Sequence, residues 1–569
     1  MKFKRQLSRI AILFTVIGSL LAQSASGAGV TIITHGNQIV SGQPTWVNAM
    51  SDAIVNRIGG NVAVFDMVLG MDLSTGKPAV QYFYPRSGNT PFSYDSEIVI
   101  RVFWDQVAGE DYDFGCNCFK IQAVTRDVAL VIEPYISEVV SGIGASIPFA
   151  QLPIHLIGHS RGGSVMSELA RILGQKGIWV NQLTTLDPRF VQGDAAVNVW
   201  ETVQFADNYY EEYPLTVPVG VPVNGALNEI LTDRLPGGYG DVLSANHSDV
   251  HLWYHGTIAA GAGAYDGTVP FTGAMRTPPW YSWDEYGGQK AGFYYSRVGG
   301  GSYAWKDLAG YYDNRVSQPL PTHNVNEWPN LISLTPDSGS VQAGNSLPIH
   351  YVFSSYDTSA AVTFYLDTDQ NPYNGNEITI KSGSQSATSS YTHGVDVNAA
   401  VPSSTPAGYF YVYGKIANPN GTRYLYARDK VQVVTATTVA AATIISVSPS
   451  TLPPSFSTQL INIYGSNFKA AGDPNASTLI FRDPANIAYV RTPIFVSSSQ
   501  LQYNITVQSA VGTWSVTVTN VGQAASNLKT FLVQTPPPNT GSLTINLSPS
   551  GAVSAGAQWR VDVEAKRWA

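Results

Sequence analysis

The sequence predicts a multidomain chain, an N-terminal α/β domain on a mostly parallel sheet with helices on both faces, followed by all-β sandwiches. Three observations predict this. Between residues 29 and 325, short apolar runs alternate with helical periodicity, the pattern of an α/β domain. After Trp328-Pro329 the helical pattern vanishes, and short alternating runs bounded by turn residues replace it. At 569 residues the chain is also too long for one hydrophobic core.

The chain opens with Lys2, Lys4, Arg5 and Arg9, an apolar run over 10–22, and the small residues Ser24-Ala-Ser-Gly-Ala-Gly29. That is the build of a signal peptide over 1–28. The run falls short of the ~20 residues of a membrane span; an uncleaved anchor is the alternative. The expectation is a secreted chain, extracellular or at the cell surface. Its formal net charge is -8 and only 13% of residues are charged, which argues against nucleic acid or an anionic membrane as partner. Cys116 and Cys118 are the only cysteines, so there is no disulfide scaffold. A Cys-x-Cys bridge closes a tight ring, and two ligands do not fill a tetrahedral metal shell. A local staple is favoured over a metal.

In the N-terminal domain, 30–34 reads as a strand that stops at His35-Gly36-Asn37. A helix follows over 45–58, with Trp46, Met50, Ala53, Ile54 and Ile58 on one side. Strands are expected over 61–67, 79–84 and 97–104. A long helix is expected over 119–136, from the register of Ile121, Val124, Val128 and Ile132. Leu152, Ile154, Leu156 and Ile157 form a buried strand. Val165, Met166, Leu169, Ala170, Ile172 and Leu173 give the next helix one apolar face, and Gly174 and Gly177 stop it. Strands at 181–186 and 202–205 complete the set, the last being the final clear one.

Between that buried strand and its helix stands Gly158-His-Ser160-Arg-Gly162. A Gly-x-Ser-x-Gly run at a strand-to-helix corner holds a serine hydroxyl out above the sheet edge, a nucleophile elbow. The five-residue pattern alone is weak in a chain with 52 glycines; the strand before it and the helix after it raise its weight. The bland reading is a Gly-rich turn with a bystander serine.

A serine nucleophile needs a base and a group that orients the base. Asp187, in Leu186-Asp187-Pro188, ends the strand after the elbow helix, on the rim where open α/β sheets bind ligands. Asp207, at the end of the next strand, is the rival acid. The base follows the acid in chain order, and Asn246-His247-Ser-Asp-Val-His251-Leu-Trp-Tyr-His255 holds three of the nine histidines. Four-residue spacing also admits a metal reading if the stretch is helical, but no His-Glu-x-x-His supports it.

His35-Gly36, Gly158-His-Ser160-Arg-Gly162, Leu186-Asp187-Pro188 and Asn246-His247 with Trp253-Tyr254 resemble, in order and context, motifs of the pancreatic-lipase-like α/β-hydrolases. The match covers four short islands. The resemblance implies an α/β-hydrolase fold over 29–325 and a Ser160–Asp187–His247 triad, with His251 second to His247. It implies an oxyanion hole from the backbone N–H groups of Asn37 and Arg161. The chain departs from the family at Asn37, where an apolar residue is usual, and in its lack of disulfides. Two readings stand for 209–244, a lid over the site or a packed insertion. The aromatic-rich residues 257–325, with Pro279-Trp280-Tyr-Ser-Trp283 and Trp305, are expected to finish the domain.

In the C-terminal half, strands are expected over 347–353, 361–366, 408–416 and 424–434 of a first β-sandwich (328–434). A second module over 443–534 carries Ile461-Asn-Ile-Tyr-Gly465-Ser-Asn467-Phe468 and resembles the immunoglobulin-like (IPT/TIG-like) modules of bacterial exported and other cell-surface proteins. Residues 535–541 are a Pro-rich linker. Residues 542–569 resemble the start of a further β-repeat, too short to close a core, which fits a truncated chain. Asp367, Asp369 and Asn371 offer oxygens at alternating positions and are a secondary calcium candidate. Pro372 stands where a calcium loop of the EF-hand kind wants glycine, and a solvated turn is the plainer reading.

The expected function is a secreted serine hydrolase of carboxylic esters, lipids foremost, needing no cofactor. Two alternatives stand: an extracellular adhesion protein with an inactive hydrolase domain, and a polyester depolymerase or acyltransferase. The β-modules are expected to meet a polymer or a cell-surface glycan.

Overall fold

The computed structural model describes residues 29–558 except 38–41, 60–61, 87–93, 95–96, 114–117, 122, 192, 213–218, 233–238, 240–244, 259–289, 325–326, 357, 389–391, 436–439, 538–543, 547–549 and 557, with the backbone alone over 110–121. The expected signal peptide, Cys116, the aromatic run 279–283 and most of the last β-repeat lie outside the described residues. The chain forms two compact units, 1–436 and 437–569.

The first unit opens with β1 (Val30–Thr34), α1 (Thr45–Ile58), β2 (Ala63–Asp72), β3 (Lys77–Pro85) and β4 (Ile98–Phe103). A small hairpin, β5 (Glu110–Asp113) and β6 (Cys118–Ile121), leads to α2 (Thr125–Ile132) and a single turn, α3 (Pro134–Ser137). Then come β7 (Ile154–His159), α4 (Arg161–Gln175), β8 (Val180–Leu186), β9 (Val203–Tyr210), β10 (Leu227–Ile230) and α5 (Ala245–Ile258).

Eight strands make one sheet in the order β10-β9-β8-β7-β1-β4-β2-β3. All pairs are parallel except the β2–β3 hairpin at the edge. The strand order reverses between β1 and β7, so the crevice at their C-terminal ends is where such a sheet binds ligands.

Side-chain alternation builds two cores, one on each face. Val30 and Ile32 of β1 face one core, with Val128 of α2 and Val165 and Leu169 of α4. Ile33 faces the other, with Trp46, Met50 and Ile54 of α1 and Val250 and Trp253 of α5. Burial on both faces explains why these strands read as near-continuous apolar runs.

Two expectations are corrected here. The single helix over 119–136 is instead strand β6, helix α2 and turn α3. Its register was real from Val124 onward, but Pro134 lacks the N–H that would continue α2 and begins a separate turn. The strand at 202–205 runs on to Tyr210, and β10 pairs parallel with it. Part of the span read as lid or insertion is therefore sheet.

The same unit contains a β-sandwich. One sheet holds Asn330–Pro336, Ser346–Ser354 and His393–Ala400; the other holds Ser340–Gln342, Gly421–Val434, Gly408–Asn418, Ala360–Asp367 and Ile378–Gln385. Leu347, Ile349, Phe364 and Val412 lie at its centre. Arg423 ties it to the α/β sheet, donating from Nη2 to the Trp179 carbonyl (2.9 Å) and from Nη1 to the Ala150 carbonyl. Full burial pushes its guanidinium down to about 9.

The second unit is a sandwich of its own. Thr443–Ser448, Gln459–Ser466, Gln500–Ile505 and Ile494–Ser497 form one sheet. Thr451–Leu452, Lys529–Val533, Gly512–Asn520, Ser477–Arg482 and Ala488–Arg491 form the other. Ile461, Ile463, Phe481, Leu501 and Trp514 fill the space between them.

Candidate active site

Ser160 stands between the last residue of β7 and the first of α4, with φ 56 and ψ -128. A non-glycine residue at positive φ stores roughly 1–3 kcal/mol of strain, held here by surrounding contacts. The Ser160 N–H donates to the Leu186 carbonyl (2.9 Å), and its own carbonyl accepts from Gly163 (3.0 Å) and Arg189 (3.2 Å). The elbow glycines are sterically required. A Cβ on Gly158 would lie 2.2 Å from the Gly162 carbonyl oxygen, and one on Gly162 would lie 2.5 Å from that of His35.

β8 ends level with β7, His159 opposite Leu186, so Asp187 comes out beside Ser160 on the same rim. Asp187 also has positive φ (44) and is fully buried. Its N–H donates to the Tyr209 carbonyl (2.7 Å), and its Oδ1 accepts from the Glu211 N–H (2.8 Å). Its Oδ2 meets His247 Nδ1 at 2.5 Å. Burial pushes the Asp187 carboxyl well above the ordinary range, opposed by the N–H groups of Glu211 and Gly220 and by the charge of Arg189. Burial also pushes His247 down, to about 3. The imidazole is therefore neutral near pH 7, as a general base must be.

The described stretch around the three histidines is helical, with His247 in the first turn of α5. His159, next to Ser160, donates from Nε2 to the His247 carbonyl (2.9 Å), and the two rings lie 4.5 Å apart. Among the described residues the Ser160 hydroxyl has no hydrogen-bond partner. Serine–base hydrogen bonds are often long without substrate and tighten on binding.

The other candidates separate cleanly. Asp207 lies within β9 rather than at its end, paired with Thr184 of β8. Its carboxylate accepts from Thr184 Oγ1 (2.6 Å), Tyr209 Oη (3.0 Å) and Gln182 Nε2 (3.2 Å), and burial raises it to about 6. His251 stacks on Trp46 (4.4 Å) with Tyr239 at its edge (5.4 Å), away from both acids' hydrogen bonds. Arg161 is the first residue of α4, so its N–H has no intrahelical acceptor. Its side chain points elsewhere, bound to Asp194 (2.7 Å) and to the carbonyls of Ala108 and Ala123.

The His35-Gly36-Asn37 turn is fixed from behind. Trp104 donates from its backbone N–H to His35 Nε2 (3.1 Å) and from its indole to the His35 carbonyl (2.8 Å). Burial lowers His35 to about 4, so it stays neutral. A Cβ on Gly36 would lie 2.3 Å from Ser160 Cβ, which shows how closely this turn meets the elbow.

Sequence reasoning missed His159, Gly220 and the Glu211 amide. His159 sits inside Gly158-His-Ser160-Arg-Gly162, and its place beside the serine is the signal that could have found it. The other two act through backbone, which leaves no signal in side-chain type.

Among the described residues no group of three or more His, Cys, Asp or Glu is placed to hold a metal. The loop offered for calcium spends its oxygens internally. Asp367 Oδ2 accepts from Tyr426 Oη (2.5 Å), and Asp369 Oδ2 accepts from Asn374 (2.8 Å) and Asn376 (3.0 Å). The Asn371 side chain accepts the Tyr373 N–H (3.1 Å). A cavity lined by Thr31, Glu97, His155, Gln182, Arg297 and Trp305 lies at the opposite, N-terminal ends of the strands and has no part in this site.

Comparison with known proteins identifies no family. No family model matches the chain, and no curated protein matches it. One similar solved structure is a chimeric titin Z1Z2 functionalized with a KLER exogenous peptide from decorin, 19% identical over 37% of this chain and 98% of its own, with a TM-score of 0.18. Another is a biofilm associated protein, BSP domain, 16% identical over 36% of this chain and 30% of its own, with a TM-score of 0.12. Likenesses this slight carry no argument, and neither is to a hydrolase. The resemblance to pancreatic-lipase-like α/β-hydrolases is therefore corrected. Its four islands are short, and the central one follows from sterics, since any serine at so tight a strand-to-helix corner needs those glycines. What stands is coarser, a β-rich chain with sandwich modules and a mostly parallel N-terminal sheet.

Proposed function

We propose that the N-terminal sheet carries a serine hydrolase of carboxylic esters. The observation that carries the reading is the 2.5 Å contact between His247 and Asp187, formed on the same rim as Ser160 at the point where strand order reverses. In this reading Ser160 Oγ attacks the ester carbonyl as His247 Nε2 takes its proton. Asp187 holds the imidazole through Nδ1 and stabilises its cation. The N–H groups of Arg161 and Asn37 receive the oxygen that becomes negative, an effect worth about 3 kcal/mol per donor. The tetrahedral adduct expels the alcohol, protonated by His247, and leaves an acyl-Ser160. Water, deprotonated by the same imidazole, then releases the carboxylic acid.

Trp46, Tyr239 and the neutral histidines near the rim favour an apolar acyl group, lipid esters included. A polyester chain offers the same bond, and an acyltransferase would differ only in replacing water with another alcohol. Residues 1–28 support export. The partnerless Ser160 hydroxyl is the one observation favouring the rival, an extracellular binding protein whose hydrolase domain is inactive. A p-nitrophenyl ester series from acetate to palmitate tests the proposal on the wild type and Ser160→Ala. The expected result is turnover that falls at least ~10⁴-fold in the variant. A folded wild type that hydrolyses none of the series would favour the binding protein.

A further inference from the structure

The sheet of the second unit formed by Thr443–Ser448, Gln459–Ser466, Gln500–Ile505 and Ile494–Ser497 contains no charged residue. The opposite sheet of the same sandwich carries Arg482, Arg491 and Lys529. The two sheets of one sandwich therefore differ in the charge that they carry.

Strand register shows what this face presents. Ile461, Ile463 and Leu501 point into the core, so their alternating neighbours point out. Tyr464 lies between Ser446 on one side and Gln500 on the other. Asn462 lies between Ser448 and Gln502, and Leu460 lies opposite Asn504. Ile494 extends the row beyond Gln502. The Nε2 groups of Gln500 (3.1 Å) and Gln502 (2.9 Å) both donate to Asn462 Oδ1, which fixes three amides in one cluster. That leaves Asn462 Nδ2 and both glutamine carbonyls without a partner among the described residues. Tyr464 is 38% exposed beside them.

We infer that this face binds an uncharged polysaccharide. Sugar rings offer hydroxyls that both donate and accept, matched by amides and serines that do the same. Their C–H faces stack on an aromatic ring, here Tyr464. Four strands at ~4.8 Å spacing give a platform about 14 Å across, room for roughly three sugar units. A face without charge neither desolvates ions nor selects a charged polymer. The inference does not depend on the esterase reading.

The test is co-sedimentation of the full chain with insoluble cellulose and with chitin, using wild type, Tyr464→Ala and Gln502→Glu, all confirmed folded by thermal melting. The expected result is binding to at least one of the two, reduced about tenfold in each variant, with Ser160-dependent chemistry unchanged. No binding to either polysaccharide, or binding equal in all three proteins, overturns the inference. Sedimentation velocity adds a further arm: a wild-type dimer that both variants abolish, with no polysaccharide bound, assigns the face to a second copy and also overturns it.

Discussion

Around Ser160 the backbone is forced. Two non-glycine residues, Ser160 and Asp187, sit at positive φ, glycines are required by contacts under 3 Å, and Ser160, Asp187 and His247 are each more than nine-tenths buried. Around Tyr464 the outward side chains stand half-exposed on extended strands, and the chemistry is carried by which of them stand in register. A reactive centre needs one atom held in one place, so its surroundings are over-determined. A surface for a repetitive polymer needs only a flat array. The difference predicts that substitutions at the first region fail abruptly and those at the second fail gradually.

The largest expected effect separates the two acids. Asp187→Asn removes the charge that orients His247 and should lower kcat/KM by about 10³–10⁴-fold with the fold intact. Asp207→Asn should leave turnover within about tenfold, because Asp207 bonds to Thr184, Gln182 and Tyr209 rather than to His247. Ester kinetics on both variants check this; the reverse ranking would move the acid to β9.

Next in size is Gly36→Val. A branched side chain there meets Ser160 itself and should cost about 10²-fold in kcat/KM. Gln502→Glu on the outer face should not change ester turnover at all. Equal loss of turnover from both would dissolve the contrast between forced and permissive regions.

Arg423→Ala tests which region stands alone. It strips two buried carbonyls of their donor and should destabilise the first unit by roughly 2–5 kcal/mol. Calorimetry should show that transition fall while the transition of the C-terminal sandwich stays in place. A shift of both would mean the two units melt together.

The smallest effect concerns pH. In the proposed reaction His247 is a neutral base, and burial holds it down to about 3. Activity should therefore persist as pH falls through 6.5, where an ordinary histidine would gain its proton and stop. His247 and Asp187 titrate as a pair, so kcat/KM should show one acid limb, below pH 6.5. A limb at or above 6.5 would mean that Asp187 stabilises the imidazolium more than burial opposes it.

The sequence made much of the forced region legible for the same reason that it is forced. Helix α1 and strand β1 came out to the residue, since the one has a single buried face and the other is buried on both. Gly158, Ser160 and Gly162 stood out because no other residues fit the corner. The family resemblance failed because those same constraints recur wherever a serine is put on such a corner, so they speak of geometry rather than descent. The helix expected over 119–136 failed because its apolar spacing began inside a strand and crossed Pro134. The outer face around Tyr464 was invisible, since alternation tells in from out but not which strands are neighbours. Only the pairing of Gln459–Ser466 with Gln500–Ile505 brings Asn462 to Gln502.

The measurement that tests the central claim most directly is labelling with a fluorescent fluorophosphonate, followed by peptide mapping of the modified chain. One labelled peptide is expected, that containing Ser160, with labelling lost in Ser160→Ala and slowed in Asp187→Asn. A well-folded wild type that stays unlabelled, or a label on any other serine, would contradict it.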